Sequence, residues 1–582
     1  MALEKVNSAE DLKKLSREEL IVLAQDIRDA MLHRVSNKGG HVGPDFGAVE
    51  LIIALHKVFN SPVDKFVFDV SHQCYPHKII TGRKFGFLDL DRYSEVSGYT
   101  NQDESEHDFF KIGHTSTSVS LATGLAKARD LRGVKENIIA IIGDGSLSGG
   151  EAFEGLNVAS ELNTNMIIIA NDNDMSIAEN HGGLYKNLRE LRESNGQAQN
   201  NYFKSLGLDY IYVHKGNDLE VLIEVFEKVK DIDHPIVVHV HTQKGKGLPY
   251  AEKDKETWHY GMPFDPETGE KRNSYSGGLS NDTAEFLMDK MEKDSTVAVV
   301  TSGTPTVLGF TRDRREKFAK QFIDVGIAEE QAVAMISGMA KNGGKPIYGV
   351  FSTFIQRTYD QLSQDLAINN NPATILIFGG GLGGMSDVTH LCWFDISLVS
   401  NIPNIVFLAP TSKEEYFAML DWSIEYKGHP VAIRVPSQLS EDTGNVQKDF
   451  SDLNKYLVTE KGKDVAILGL GNFYKLGKEV KELLKENGID ATLINPRYAS
   501  GIDETLLNEL KAEHKLVVTL EDGVTDGGFG EKIARFYGAS DMKVLNYGIK
   551  KEFTDRVAPD VSFKNNRLTK EQVTQDILDI VK

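Results

Sequence analysis

Short, wholly apolar segments recur along this chain, and each is followed by a glycine-rich or polar turn and then by a helical pattern. Segments of this kind are typical of parallel strands that are buried on both faces and joined by helices. Their repetition therefore predicts an α/β fold built on mainly parallel sheets. The clearest segments are residues 138–142, 166–170, 297–300, 373–377, 465–468 and 516–520.

Two polar stretches interrupt this pattern, one around residues 265–280 and one around residues 438–455. Both are rich in turn-forming and charged residues, which is typical of linkers. They cut the chain into pieces that each have the size of an ordinary domain. We therefore predict three α/β domains, at residues 1–275, 280–440 and 455–582.

Charge and composition limit the kinds of molecule that this chain is expected to bind. The chain has 85 Asp and Glu against 65 Lys and Arg, a formal net charge of −20, and it shows no basic stripe of the kind that binds nucleic acid. Its two cysteines, Cys74 and Cys392, predict neither a disulfide framework nor a metal site. No apolar run approaches the length of about 18 residues that a membrane span needs, and residues 1–15 lack the apolar core of a signal peptide. We expect a cytoplasmic protein that acts on small molecules, with neither nucleic acid nor membrane as a partner.

The most informative motif, Gly143-Asp144-Gly145, follows the apolar segment that ends at residue 142, and a helical pattern begins at about Glu151. The next apolar segment is followed by Asn173, one strand–helix–strand crossover later. The carboxyl ends of neighbouring parallel strands meet at one edge of a sheet, where ligands bind. Carboxylate and amide oxygens suit Mg²⁺. The glycines permit close approach of a diphosphate, whose charge a helix N-terminus favours.

This spacing of Gly-Asp-Gly and Asn resembles the thiamine diphosphate motif. The resemblance implies that Mg²⁺ is bound by the side chains of Asp144 and Asn173 and by the carbonyl of Met175. It also assigns to the cofactor the neighbouring residues Gly143, Gly145 and Ser146.

Further segments resemble the 1-deoxy-D-xylulose-5-phosphate synthase family, relatives of transketolase, over nearly the whole chain and in the family's order. The most specific are Ser71-His-Gln-Cys-Tyr-Pro-His-Lys78 and Ser352-Thr-Phe-Ile-Gln-Arg357. The resemblance implies a first domain that binds the diphosphate and the metal, a second that binds the aminopyrimidine, and a smaller C-terminal domain. It also implies a homodimer. The other matching segments are residues 39–41, 113–118, 171–180, 244–247, 324–329 and 527–530.

The same resemblance implies roles for single residues. Glu329 would activate the cofactor through its aminopyrimidine. We expect its neighbour Glu330 to point away, because adjacent residues at a strand end face opposite sides. Proton transfer falls to histidines, whose pKa lies near neutral pH, namely His41, His72, His259 and His390. The cofactor-binding set further comprises His72, His114, Lys244, Glu329, Phe354 and Arg357.

The departures from the family concentrate where the acceptor substrate would bind. Gly379 and Ser437 stand where the family has arginines that hold the phosphate of glyceraldehyde 3-phosphate, and Ser386 replaces an aspartate. Neither glycine nor serine can form the bidentate phosphate contact of arginine. We also expect the glycine-rich run at residues 379–384 to loosen this pocket wall. Glyceraldehyde 3-phosphate is therefore expected to be a poor acceptor.

Three hypotheses follow. The first is the family reaction, in which pyruvate loses CO₂ and its two-carbon unit is transferred to glyceraldehyde 3-phosphate for isoprenoid precursor synthesis. The second is a transketolase-type paralogue with a different keto acid or ketose donor or a different aldehyde acceptor. The third is a thiamine diphosphate-binding protein without turnover, against which the retention of Asp144, Asn173 and Glu329 argues.

Overall fold

A computed structural model describes residues 1–272, 278–436, 439 and 446–581. Both predicted linkers lie partly outside these ranges, and Ser437 lies outside them. The chain separates into two compact units: Met1–Ser276 with Gly326–Ala328, and Gly277–Val325 with Glu329–Lys582. The boundaries of the three domains stay predictions.

The first unit is built on a five-stranded sheet in which every neighbouring pair is parallel. Its strand order is β2-β3-β4-β6-β5, and a separate antiparallel ribbon pairs β1 with β7. The strands are β1 (Gly40–His41), β2 (Lys65–Phe68), β3 (Ile138–Gly143), β4 (Met166–Asp172), β5 (Asp209–Val213), β6 (Pro235–His241) and β7 (Tyr260–Gly261).

Strand β3 shows why the apolar segments are continuous. Ile139 and Ile141 pack into one hydrophobic cluster. Ile138 and Ile142 point to the opposite face and pack into another. Because successive side chains alternate between the faces of a sheet, a strand covered on both faces needs apolar residues at every position.

Helices cover both faces of this sheet. The longest, α2, begins with a capping box in which Ser16 and Glu19 satisfy each other's backbone N–H groups. The helices of the unit are α1 (Ala9–Lys13), α2 (Arg17–Lys38), α3 (Gly43–Gly47), α4 (Val49–Val58), α5 (Tyr75–Lys78), α6 (Phe85–Leu88), α7 (Ser118–Arg132), α8 (Gly150–Ala159), α9 (Gly183–Glu193), α10 (Tyr202–Ser205), α11 (Leu219–Val229) and α12 (Pro249–Lys253).

The second unit contains two sheets. One has six parallel strands in the order β12-β13-β11-β10-β8-β9, and the other has five in the order β14-β16-β15-β17-β18, where only β14 runs antiparallel to its neighbour. The strands are β8 (Val297–Thr301), β9 (Phe322–Asp324), β10 (Lys345–Phe351), β11 (Thr374–Gly380), β12 (Val406–Leu408), β13 (Val431–Pro436), β14 (Leu457–Glu460), β15 (Asp464–Gly469), β16 (Thr492–Asn495), β17 (His514–Val524) and β18 (Lys543–Ile549).

These two sheets share part of their hydrophobic core. Ile377 of β11, Leu468 of β15 and Val517 of β17 belong to the same buried cluster. The helices of the unit are α13 (Gly278–Lys293), α14 (Arg312–Lys317), α15 (Glu329–Lys341), α16 (Asp395–Val399), α17 (Lys413–Glu425), α18 (Tyr474–Glu486), α19 (Glu504–Leu510), α20 (Phe529–Tyr537), α21 (Pro559–Asn565) and α22 (Lys570–Val581).

The predicted fold class is confirmed: the chain is α/β, and its three larger sheets are mainly parallel. Within the described ranges, no helix combines the length and the apolar character that crossing a membrane requires.

Candidate active site

Asp144 and Asn173 lie next to each other at the carboxyl edge of the first unit's sheet. Strands β3 and β4 are parallel neighbours, with Gly143 opposite Asn171. The residues that follow them therefore lie side by side, and the Asn173 N–H lies 3.5 Å from Asp144 Oδ1. The predicted proximity of Asp144 and Asn173 is observed.

The Asp144 carboxylate is buried among donors. Its Oδ2 accepts hydrogen bonds from the backbone N–H of Met175 at 2.9 Å and from the Asn180 amide at 2.6 Å. The Tyr185 hydroxyl donates to the Asp144 carbonyl oxygen at 3.2 Å. Burial, together with the negative charge of Asp172, raises the pKa of Asp144 to about 7. A cation beside this carboxylate would favour its ionised form.

The residues at this edge fit a hard divalent cation. The Asn173 amide oxygen is buried, and it has no hydrogen-bond partner among the described residues. A buried polar atom without a partner costs about 1–3 kcal/mol, which a ligand at this position would offset. Among all the residues that the structure describes, no three or more His, Cys, Asp or Glu side chains form a cluster able to hold a metal. A site here therefore depends on amide and carbonyl oxygens as well as on Asp144.

The glycines of the motif are not equivalent. A Cβ atom at Gly145 would lie 2.9 Å from Ser176 Oγ and 3.1 Å from Ser176 Cα, so only glycine allows the two loops to approach. A Cβ atom at Gly143 would meet nothing within 4 Å. The Ser146 side chain bonds to Asp69. Of the two glycines, only Gly145 is required by the packing of the protein itself.

Three of the predicted histidines form a cluster beside this edge. The ring centroids of His41 and His72 are 5.3 Å apart, and those of His72 and His259 are 5.2 Å apart in a stacked arrangement. The antiparallel ribbon brings His41 and His259 together, because its register pairs His41 with Tyr260, the residue after His259. Burial lowers the pKa of His259 well below its ordinary value, so this imidazole is neutral at neutral pH.

Lys244 connects the histidine cluster to the loop after β4. Its Nζ donates to the Ser176 carbonyl oxygen at 2.5 Å and lies 3.2 Å from His259 Nδ1. Burial lowers the pKa of Lys244 to about 7.

His72 follows a turn with an unusual backbone. Val70 and Ser71 have φ angles of 56° and 63°, in the left-handed region that residues with a side chain rarely adopt. The Ser71 hydroxyl donates to the Ile112 carbonyl at 2.6 Å. The half-buried His114 lies two residues beyond Ile112. Ser71 therefore ties the turn before His72 to the segment that leads to His114.

In the second unit, the expectation that Glu329 lies at a strand end is wrong. Strand β9 ends at Asp324, and Glu329 is the first residue of helix α15. Glu329 is 3% exposed, whereas Glu330 is half-buried. Burial raises the pKa of Glu329 to about 7, against the opposing charge of Arg357, whose Nη1 lies 3.8 Å from Glu329 Oε2.

Phe354 and His390 also meet within the second unit. Their ring centroids are 5.8 Å apart in an edge-to-face arrangement. His390 Nδ1 lies 2.9 Å from the Thr389 hydroxyl. Burial lowers the pKa of His390 to about 4, so its imidazole is neutral at neutral pH.

The expected loosening of the glycine-rich wall does not hold at Gly380 and Gly381. A Cβ atom at Gly381 would lie 1.8 Å from Asp522 Oδ2, and one at Gly380 would lie 2.7 Å from Arg434 Nε. The space is already filled by a buried network in which Arg434 Nε donates to Asp395 at 2.7 Å and Nη1 donates to Asp522. Glycine is needed here because charged side chains occupy the positions that a Cβ would take.

Sequence reasoning assigned no role to several residues around Asp144. Asn180 lies in a segment that resembles the family, but nothing in the sequence shows that its amide reaches Asp144. Lys255 donates to the Asn173 carbonyl at 3.1 Å from a distant part of the chain. Asp172 lies within the predicted motif, yet its partners Arg192 and His239 become apparent only in the folded chain.

Models of known families match the chain in three consecutive parts. The first is described as 1-deoxy-D-xylulose-5-phosphate synthase and matches residues 3–200 and 194–242. The second is described as the pyrimidine binding domain of transketolase and matches residues 282–442. The third is described as the C-terminal domain of transketolase and matches residues 454–573.

Curated proteins resemble the chain over its full length. One from Clostridium beijerinckii, named 1-deoxy-D-xylulose-5-phosphate synthase, is 36% identical over 99% of both chains. A protein of the same name from Alkaliphilus oremlandii is 39% identical over 91% of this chain and 90% of its own length. This similarity shows that the chain belongs to the 1-deoxy-D-xylulose-5-phosphate synthase family.

Proposed function

We propose that this chain is a thiamine diphosphate-dependent transferase that decarboxylates pyruvate and transfers the two-carbon unit to glyceraldehyde 3-phosphate. Full-length similarity to proteins named for this synthesis favours it over a transketolase-type paralogue. We therefore do not retain the expectation that glyceraldehyde 3-phosphate is a poor acceptor. The observation that carries the proposal is the buried Asp144 beside Asn173, whose buried amide oxygen has no protein partner among the described residues.

In this proposal Mg²⁺ is held by Asp144, Asn173 and the carbonyl of Met175. Gly143, Gly145, Ser146, His72, His114 and Lys244 contribute to the diphosphate end, and Phe354, Arg357 and Glu329 to the aminopyrimidine end. Thiamine diphosphate, when bound, supplies the carbanion chemistry that breaks and forms the carbon–carbon bonds. The protein binds and orients the reactants and handles protons.

The proton-handling groups are Glu329 and the neutral imidazoles. The raised pKa of Glu329 means that both its protonated and its ionised form are populated near pH 7, as a group that gives and takes a proton requires. His259 and His390 have lowered pKa values and are therefore bases or neutral hydrogen-bond donors rather than cationic acids. His41 and His72 complete the cluster around His259.

The test is product formation from pyruvate and glyceraldehyde 3-phosphate in the presence of thiamine diphosphate and Mg²⁺. We expect release of CO₂ and formation of 1-deoxy-D-xylulose 5-phosphate with kcat/KM above about 10⁴ M⁻¹s⁻¹, an ordinary enzymic efficiency. Asp144→Ala is the matched control and should lose both activity and thermal stabilisation by the cofactor. Preference for ketose donors, or for acceptors other than glyceraldehyde 3-phosphate, would overturn the assignment in favour of the paralogue.

A homodimer and a cytoplasmic location remain parts of the proposal. The homodimer follows from the family, and its molar mass by light scattering should be about twice the 64.5 kDa of one chain. A mass of one chain at micromolar concentration would contradict it.

A further inference from the structure

The residues Asp172–Asp174 form a tight turn directly after strand β4. The Asp174 N–H donates to Asp172 Oδ1 at 3.0 Å, and Asp174 has a left-handed φ of 59°. The turn aims the following Met175 N–H at Asp144 and leaves the Asn173 amide oxygen buried without a partner among the described residues. Its conformation therefore determines where the proposed metal ligands point.

One guanidinium spans this turn from the outside. Arg192 Nη1 donates to both carboxylate oxygens of Asp172, at 2.9 and 2.7 Å, and Nη2 donates to Asp174 at 2.6 Å. The Arg192 side chain is 10% exposed and that of Asp172 is 1% exposed, so the contact is largely removed from water. A planar fork that grips two carboxylates at once is a geometry that arginine provides and lysine does not.

A second group holds Asp172 from the sheet side. His239 Nε2 lies 2.8 Å from Asp172 Oδ2, and His239 Nδ1 lies 2.8 Å from the Tyr210 hydroxyl. Because a carboxylate paired with arginine is ionised and only accepts, Nε2 carries the proton and Nδ1 accepts from Tyr210. The three residues lie on the adjacent strands β4, β6 and β5, which makes this support rigid.

We propose that Arg192 is a positioning residue for the metal-binding turn, and that His239 and Tyr210 fix Asp172 as its anchor. None of the three touches the proposed ligand oxygens. They act through Asp172 and Asp174, which enclose Asn173 between them. The proposal rests on the proposed function in one respect, the presence of a divalent cation at Asp144 and Asn173.

The experiment measures binding of Mn²⁺, a paramagnetic substitute for Mg²⁺, by electron paramagnetic resonance with saturating thiamine diphosphate. Arg192→Lys keeps the charge and loses the fork. Asp174→Asn removes the charge from one arm of the contact at a half-exposed site and keeps a residue type that tolerates left-handed backbone. We expect the Kd for Mn²⁺ to rise by about 10- to 100-fold in Arg192→Lys, as for other groups that support metal ligands, and by less in Asp174→Asn. Arg189→Lys, on the exposed face of α9, is the control and should bind Mn²⁺ like the wild type.

If Arg192→Lys does not fold, the Kd of Asp174→Asn for Mn²⁺ tests the proposal instead. Mn²⁺ affinities within twofold of the wild type in every folded variant would overturn the proposal. If the wild type itself binds no Mn²⁺, the metal site of the proposed function is refuted. Amide hydrogen exchange in the cofactor-free protein then tests the positioning role of Arg192. The amides of Asp174 and Met175 should then exchange faster in Arg192→Lys than in Arg189→Lys, and equal rates would refute the positioning role.

Discussion

Glu329 and Glu330 are adjacent residues of the same type, yet the fold treats them differently. They are the first two residues of a helix, so their side chains diverge by about 100°, and only Glu329 is buried. Burial disfavours the charged form, which is why the pKa of Glu329 is raised to about 7. A single residue therefore acquires its proton affinity from packing rather than from its own chemistry.

Glu329→Gln is expected to fold and to bind thiamine diphosphate, but to slow exchange of the cofactor's C2 proton by at least about 10²-fold. This is the low end of the effect of a general acid or base. The exchange is followed by quenching in deuterated buffer and nuclear magnetic resonance. Glu330→Gln is the control and should change the rate little. A rate in Glu329→Gln within a factor of two of the wild type would contradict the assignment.

Gly379 gives a second prediction at this scale. Its φ is +73°, and a Cβ atom there would meet only Phe351 Cδ1, at 3.8 Å. Backbone strain rather than crowding therefore opposes a side chain, and Gly379→Ala should lower the free energy of unfolding by about 1 kcal/mol. An arginine at this position would carry the same strain. The control, Gly124→Ala within helix α7, has open space around it and should raise stability by about 0.5–1 kcal/mol. Denaturant titration of both variants checks the opposite signs.

At the scale of elements, the family segment at residues 71–78 divides into two parts. Its beginning, with His72, joins the histidine cluster. Its end, helix α5, turns His77 inwards, where His77 Nε2 lies 3.0 Å from Asp108 and Arg83 donates to the same carboxylate at 2.6 Å. Half of the segment thus forms a buried network that fixes the other half.

The strained turn before His72 can be tested by comparing two variants of Ser71. Both Ser71→Ala and Ser71→Gly lose the hydrogen bonds to Ile112 and Thr100. Only the glycine relieves the left-handed backbone, so Ser71→Gly should be more stable than Ser71→Ala by about 1 kcal/mol. Denaturant titration gives the free energy of unfolding of each variant, and equal values for the two would show that the turn is not strained.

At the scale of the whole molecule, both units contain carboxyl groups whose pKa is raised by burial, among them Asp144 in the first and Glu329 in the second. Such a group binds its proton more tightly in the folded chain than in the unfolded chain. It therefore contributes stability at low pH that is lost as the pH rises toward the folded pKa. The cofactor-free protein is therefore expected to have a lower free energy of unfolding at a pH where these groups are ionised than at a pH where they are protonated.

For Glu329, the sign and size of this change in stability follow from the difference between its ordinary pKa of 4.5 and its pKa of about 7 in the folded chain. At about 1.4 kcal/mol per pH unit, the wild type should lose about 3 kcal/mol relative to Glu329→Gln between pH 4.5 and pH 7. Thermal unfolding of both cofactor-free proteins across this range tests the expectation. A stability difference that does not change with pH would mean that the pKa of Glu329 is not raised.

The sequence alone determined the α/β class, because continuous apolar strands can be buried only in sheets covered on both faces. It also determined that Asp144 and Asn173 meet, since the ends of adjacent parallel strands converge at one edge. Tertiary structure decided the rest. The partners of Asp172 come from residues 20 and 67 positions away, the burial of Glu329 depends on a helix that the sequence pattern did not reveal, and side chains from β13 and β17 fill the space beside the glycine-rich run. Local patterns specify periodicity and turns, whereas pKa values and long-range contacts arise only when distant segments exclude water together.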